Sequence, residues 1–152
     1  MRTHLIAVGR MKAGPERALF DHYAGRLSDP VQMHEVEEKR SLPSDKRKAS
    51  EADLLLGRVP DGAIIIAMDE RGKTISSVAF AKKIGAWQDE GFRDVAFLIG
   101  GADGLDKSVR QKAHLTLSLG DMTWPHMLVR GLLSEQIYRA HAILTGHPYH
   151  RE

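Results

Sequence analysis

Two short runs constrain this chain more than anything else in it: Ile64-Ile65-Ile66 and Ala96-Phe97-Leu98-Ile99 are apolar without a break. A strand with one wet face alternates polar and apolar residues. An unbroken run of this length is instead suited to burial on both faces, the condition of a central strand in a parallel sheet covered by helices. Three further runs of strand character join them, so strands are expected at 4–8, 31–36, 63–68, 95–99 and 115–119. Segments of helical period fall between, at 15–26, 44–58, 76–88 and 105–114, the first with Pro15 in its opening turn. This alternation predicts an α/β fold with a mostly parallel sheet flanked by helices.

With 152 residues, 42% of them hydrophobic, and no internal repeat or low-complexity linker, the chain is expected to form a single domain over residues 1–152. The absence of cysteine removes disulfides, thiolate-bound zinc and cysteine nucleophiles. The histidines lack metal-ligand spacing, so no metal is expected. Met1-Arg2-Thr3-His4 runs straight into a strand, and no apolar run approaches the roughly 18 residues of a membrane span; a cytoplasmic protein with no membrane partner is expected. A net charge of +2 permits a nucleic-acid partner without demanding one. Lys39-Arg40 and Lys46-Arg47-Lys48 are interleaved with Glu35, Glu37, Glu38 and Glu51, a mixture that suits a solvated helix surface and also an edge that grips RNA phosphates.

The clearest helix is the last. Val129, Leu132, Leu133, Ile137, Ala140, Ile143 and Leu144 recur at three- and four-residue steps, Glu135 precedes Arg139 by four, and Gly146 with Pro148 supplies a stop. Arg130 and Arg139 are expected to face away from the stripe. The stripe suits a core contact and is wide enough for a subunit interface as well.

Two glycine-bearing strand ends outline a pocket. Gly100-Gly101-Ala102-Asp103-Gly104 lets backbone approach a ligand closely, although a plain strand-to-helix turn accounts for the same glycines equally well. Neither G-x-G-x-x-G nor a Walker-type phosphate loop is present. At the second end, Leu119-Gly120-Asp121-Met122-Thr123-Trp124 can offer backbone groups to a ligand's polar edge while Met122 and Trp124 cover an aromatic face. On spacing alone, a tight loop plugging the core is the stronger reading.

These motifs together, Leu98 to Gly104, Leu117-Ser118-Leu119, Met122 to His126 with Leu128-Val129-Arg130, Glu135 to Ala140, and the ending His147-Pro148-Tyr149-His150-Arg151-Glu152, resemble the ribosomal RNA large-subunit methyltransferase H family. The resemblance spans essentially the whole chain. It implies the SPOUT class of methyltransferases: a deep C-terminal trefoil knot, a homodimer, and transfer of a methyl group from S-adenosyl-L-methionine to N3 of a pseudouridine in large-subunit (23S) ribosomal RNA within assembled ribosomes. Matched to the family's motifs, the cofactor-binding residues are Met68, Gly100, Leu119, Gly120, Asp121, Met122, Thr123 and Trp124. Trp124 stands where an aliphatic residue is usual, and Gly120-Asp121 where small residues such as serine are frequent.

The implied reaction needs the N3 proton removed and the developing anion stabilised, which draws attention to His150 as base, with Tyr149, Arg151 and Arg130 beside it. His126 is read first as a structural histidine at a helix start. Two other readings compete with the enzyme: a ribosome-docking module without chemistry, and an ordinary doubly wound nucleotide binder, which would leave the ending at 147–152 without a task.

Overall fold

The computed structural model describes residues 1–151. Five strands, β1 (Arg2–Val8), β2 (Gln32–Val36), β3 (Ile64–Lys73), β4 (Asp94–Ile99) and β5 (Leu115–Leu117), form one sheet in the order β2-β1-β4-β3-β5, and every pairing is parallel. Five helices connect and follow them: α1 (Pro15–Ala24), α2 (Ser44–Leu56), α3 (Ser77–Asp89), α4 (Lys107–Lys112) and α5 (His126–Thr145). α1 and α3 pack on α5 over one face of the sheet, while α2 and α4 pack together over the other.

Successive residues of the central strands feed opposite cores. Leu5, Ala7, Val95, Phe97 and Ile99 enter the layer beneath α1, α3 and α5; Ile6, Val8, Ala96 and Leu98 enter the layer beneath α2 and α4. Burial on both faces is therefore real, as the unbroken apolar runs require.

Several boundaries shift by one or two residues, among them the start of β1 at Arg2 and the ends of α1 at Ala24 and α2 at Leu56, and three departures near the C-terminal edge have a visible cause. β5 stops at Leu117 rather than 119, because Ser118 turns the chain with its own side chain: its hydroxyl donates to the Gly120 carbonyl and accepts from the Gly120 amide. α4 is confined to six residues, since Asp106 caps it through the Ser108 amide and Ala113 is already extended. β3 continues five residues beyond Met68. Met68 and Lys73 both pair with Leu117, so residues 69–72 buckle out of the ladder and the strand resumes. Gly72 makes that possible, as a Cβ there would stand 2.6 Å from the Thr116 carbonyl carbon. The bulge consists of Asp69, Glu70 and Arg71, polar residues without strand periodicity, which is why the extension is not visible in the hydrophobic pattern.

Parallel strands place all five C-terminal ends on one edge. The two glycine-bearing strand ends and the β3 bulge lie on it, and α5 starts beside it.

Candidate active site

The C-terminal edge carries a cavity of about 590 Å³. Met68, Ile99 and Leu117, from the ends of β3, β4 and β5, line it together with Leu119 and Val129; the turn 100–104 stands on one side, and Ser118 to Gly120 with Met122 to Trp124 on the other. Asp69, Glu70 and Arg71 from the bulge and His126 from the start of α5 complete the rim. The two glycine-bearing ends thus do form one pocket, and seven of the eight expected cofactor residues line it: Met68, Gly100, Leu119, Gly120, Met122, Thr123 and Trp124. Asp121 does not; it is exposed outside the cavity.

The rim is braced. Thr123 donates its hydroxyl hydrogen to the Glu70 carboxylate (2.9 Å), tying the second loop to the bulge. Asp69 accepts from the Arg71 amide and guanidinium (2.9 and 3.1 Å) and from Arg110 (3.3 Å). Burial alone would raise the Asp69 carboxyl, but those hydrogen bonds and cations outweigh it and hold it below the ordinary carboxylate range. At the glycine turn, a Cβ on Gly100 would stand 2.8 Å from the Gly104 carbonyl carbon and oxygen, so this wall closes only around bare backbone. Met122 and Trp124 are 76% and 42% exposed, apolar surface left beside the mouth rather than plugging the core. Burial, with Arg130 nearby, pushes the His126 imidazole down, so a neutral ring faces the cavity at pH 7.

The expected catalytic residues lie elsewhere. Arg130 does not face away from the apolar stripe: none of its surface is exposed, and its guanidinium donates to Glu35 (2.6 Å) and to the carbonyls of Val8 and Gly9 (3.1 and 2.9 Å). Glu35 also accepts the Met11 amide. Arg130 thus lashes the first turns of α5 to the loop after β1. The sequence signal was its spacing of three and seven from Leu133 and Ile137, which puts it on the buried face.

The ending folds back along α5. Tyr149 donates its hydroxyl to Glu135 (2.8 Å), its ring packs edge-on against Tyr138, and the Arg139 guanidinium lies 4.8 Å from its centroid. His150 Nδ1 is 3.1 Å from Arg139, and its Nε2 is buried without a hydrogen-bond partner. Burial and hydrogen bonding with Tyr23 and Glu135 raise the Tyr149 phenol well above its ordinary range, so it remains protonated and can serve as a donor, not a base. Arg151 is exposed. None of Tyr149, His150 and Arg151 lines the cavity. The cavity meets α5 at His126 and Val129 and the tail meets it at Glu135 to Arg139; ten residues of helix between Val129 and Arg139 span about 15 Å.

A family model described as a predicted SPOUT methyltransferase matches residues 1–150. The ribosomal RNA large subunit methyltransferase H of Paramagnetospirillum magneticum is 59% identical over 151 residues, covering 99% of both chains. Those of Rhodospirillum centenum and Nitrobacter hamburgensis are 56% and 47% identical, again with 99% of each chain covered. This chain belongs to that SPOUT methyltransferase family. A solved probable methylase family protein from Haemophilus influenzae shares the fold, with a TM-score of 0.57 at 14% identity over 99% of this chain and 70% of that one.

A SPOUT methyltransferase needs a methyl donor, and the cavity fits one of nucleoside size. Its apolar floor and the backbone of two turns suit an aromatic heterocycle with polar edges.

Proposed function

We propose that this chain transfers a methyl group from S-adenosyl-L-methionine to N3 of a pseudouridine in large-subunit ribosomal RNA, with assembled ribosomes as substrate, and that it works in the cytoplasm as a homodimer. The observation that carries the reading is the cavity shared by the turn 100–104 and the loop 118–124. Kinship to enzymes named for large-subunit ribosomal RNA supports the substrate. That no helix among the described residues is long and apolar enough to cross a membrane accords with the location.

The donor supplies a methyl group already activated on a sulfonium. The protein's task is then to align donor and ring nitrogen, and alignment accounts for a large part of such a rate. Met68, Gly100, Leu119, Gly120, Met122, Thr123 and Trp124 hold the donor; Asp121, outside the cavity, does not. Removal of the N3 proton falls to an imidazole. His126 stands in the cavity wall, neutral and able to accept a proton. His150 and Arg151 reach the cavity from a second subunit, an assignment supported by the roughly 15 Å of α5 that separates tail from cavity within one chain. Tyr149, held protonated, is a hydrogen-bond donor in that assembly. Arg130 is structural.

The trefoil knot is part of the same reading. Residues 69–72 curl around the exit of β5, with Met68 and Lys73 both pairing with Leu117, which supports a chain passing through that loop on its way to α5.

The test is transfer of labelled methyl from S-adenosyl-L-methionine to unmodified ribosomes, followed by nucleoside mapping. Label at N3 of one pseudouridine is the expected result. Failure to bind the donor at all would overturn the reading; donor and ribosome binding without transfer would leave a docking protein.

A further inference from the structure

Four carboxyl groups surround the glycine turn and the cavity, and three of them are accounted for. Asp69 is held by Arg71 and Arg110, Glu70 is exposed and accepts from Thr123, and Asp103 is exposed to solvent. The fourth, Glu51 of α2, is not. It is only 6% exposed, and its Oε1 is buried with no hydrogen-bond partner. Its Oε2 lies 3.3 Å from the point where a Cβ on Gly101 would stand, so the carboxyl sits one residue's thickness behind the cavity wall.

The charges facing Glu51 do not neutralise it. On its own helix, the guanidinium of Arg47 donates to the carbonyls of Glu38 and Arg40 and not to Glu51, so it offsets the carboxylate only from a distance. From the segment after β2 comes Glu38, whose carboxylate is taken by Arg40 and Ser50; from the glycine turn comes Asp103, of like sign. Val8 of β1, which borders Gly101 beside the carboxyl, is apolar. A buried carboxylate without a paired cation is costly, and the cost falls when a positive charge enters nearby.

We propose that Glu51 is the counter-charge that makes this cavity prefer a cationic methyl donor over its uncharged product. The inference rests on the methyl-donor reading of the cavity. Methyl transfer converts a sulfonium into a neutral thioether, so one positive charge leaves the donor in the step. A fixed, desolvated carboxylate behind the glycine turn favours the ligand that still carries the charge and lets the spent one go. Glu51 touches neither ligand; it is a positioning residue acting through the field across Gly101. Desolvation raises the Glu51 carboxyl; the charge of Arg47 opposes this and those of Asp103 and Glu38 add to it, and the net direction is upward. The preference is accordingly absent at acid pH, where Glu51 is neutral, and grows as pH rises through its titration.

Calorimetric titration of wild type and Glu51→Gln with S-adenosyl-L-methionine and with S-adenosyl-L-homocysteine, from pH 4 to pH 8, tests this. The expected result is that Glu51→Gln weakens donor binding about tenfold, the scale of one unit charge felt through a thin layer of protein, and leaves product binding unchanged. The ratio of the two affinities should rise with pH in wild type and stay flat in the variant. Equal weakening of both ligands would reduce Glu51 to a prop for the turn and overturn the inference while leaving the donor reading intact. If the variant does not fold, a pH-independent ratio in wild type overturns it just as well. Wild type that binds neither ligand overturns the donor reading and this inference together.

Discussion

A guanidinium with no exposed surface must find its compensation inside the protein, and Arg130 finds most of it: one carboxylate, Glu35, and two backbone carbonyls at the end of β1. Only Nε lacks a partner. Removing the side chain would leave two buried carbonyls and a half-buried carboxylate without their donor, and each such group carries its own desolvation cost. Arg130→Ala is therefore expected to destabilise the fold by about 3 kcal/mol in denaturant titration. Arg130→Lys should fall between it and wild type, since one ammonium cannot reproduce the fork. A loss below about 1 kcal/mol in Arg130→Ala would show that the buried pair does not hold α5 to the β1 loop. The same residue marks where pattern reading stops. Helical spacing places it on the buried face, but charge argues the other way, and nothing in the local sequence announces that Glu35, ninety-five residues earlier, is waiting for it.

At the level of elements, the proposed donor site depends on the turn 100–104, where Gly100 lies against the backbone of Gly104 with no room for a side chain between. Gly100→Val puts three extra carbons where the Gly104 carbonyl already stands. It is expected to lower donor affinity at least about 100-fold and to destabilise the fold by about 1–3 kcal/mol, the cost of displacing that backbone; calorimetry and denaturant titration check the two. Donor binding within about threefold of wild type would mean that the turn is not part of the site. How much of this was legible follows from where the information sits. The sheet was written in unbroken apolar runs, because burial on both faces leaves no choice of residue. The location of the pocket was written in glycines at two strand ends, because only glycine fits there. The bulge of β3 and the short α4 were not, because a polar bulge has no period and a capping pair such as Asp106 and Ser108 outweighs a weak helical pattern. Glu51 was hidden for a different reason: on a helix surrounded by charge, a carboxylate reads as solvated, and its burial comes from the turn of a strand distant in sequence.

For the whole molecule the decisive relation is between the cavity at one end of α5 and the tail lying against residues 135–139. One chain places His150 against Arg139 and Tyr149 against Glu135, not against the cavity. If the tail takes part in chemistry, it does so by meeting the cavity of another copy, where Met122 and Trp124 offer uncovered apolar surface at the mouth. Complementation separates the two arrangements. A Gly100→Val subunit has a tail but no donor site; a subunit truncated before His147 has a donor site but no tail. Each homodimer is expected to be inactive. Random mixing yields heterodimers as half the population, each with one site combining an intact cavity and an intact partner tail, so methyl transfer to ribosomes should recover to about a quarter of wild type. A tail acting within its own chain gives no recovery, because no subunit then carries both parts. Absence of activity in heterodimers shown to have formed would therefore remove the shared site from the reading and return the proton to His126 alone.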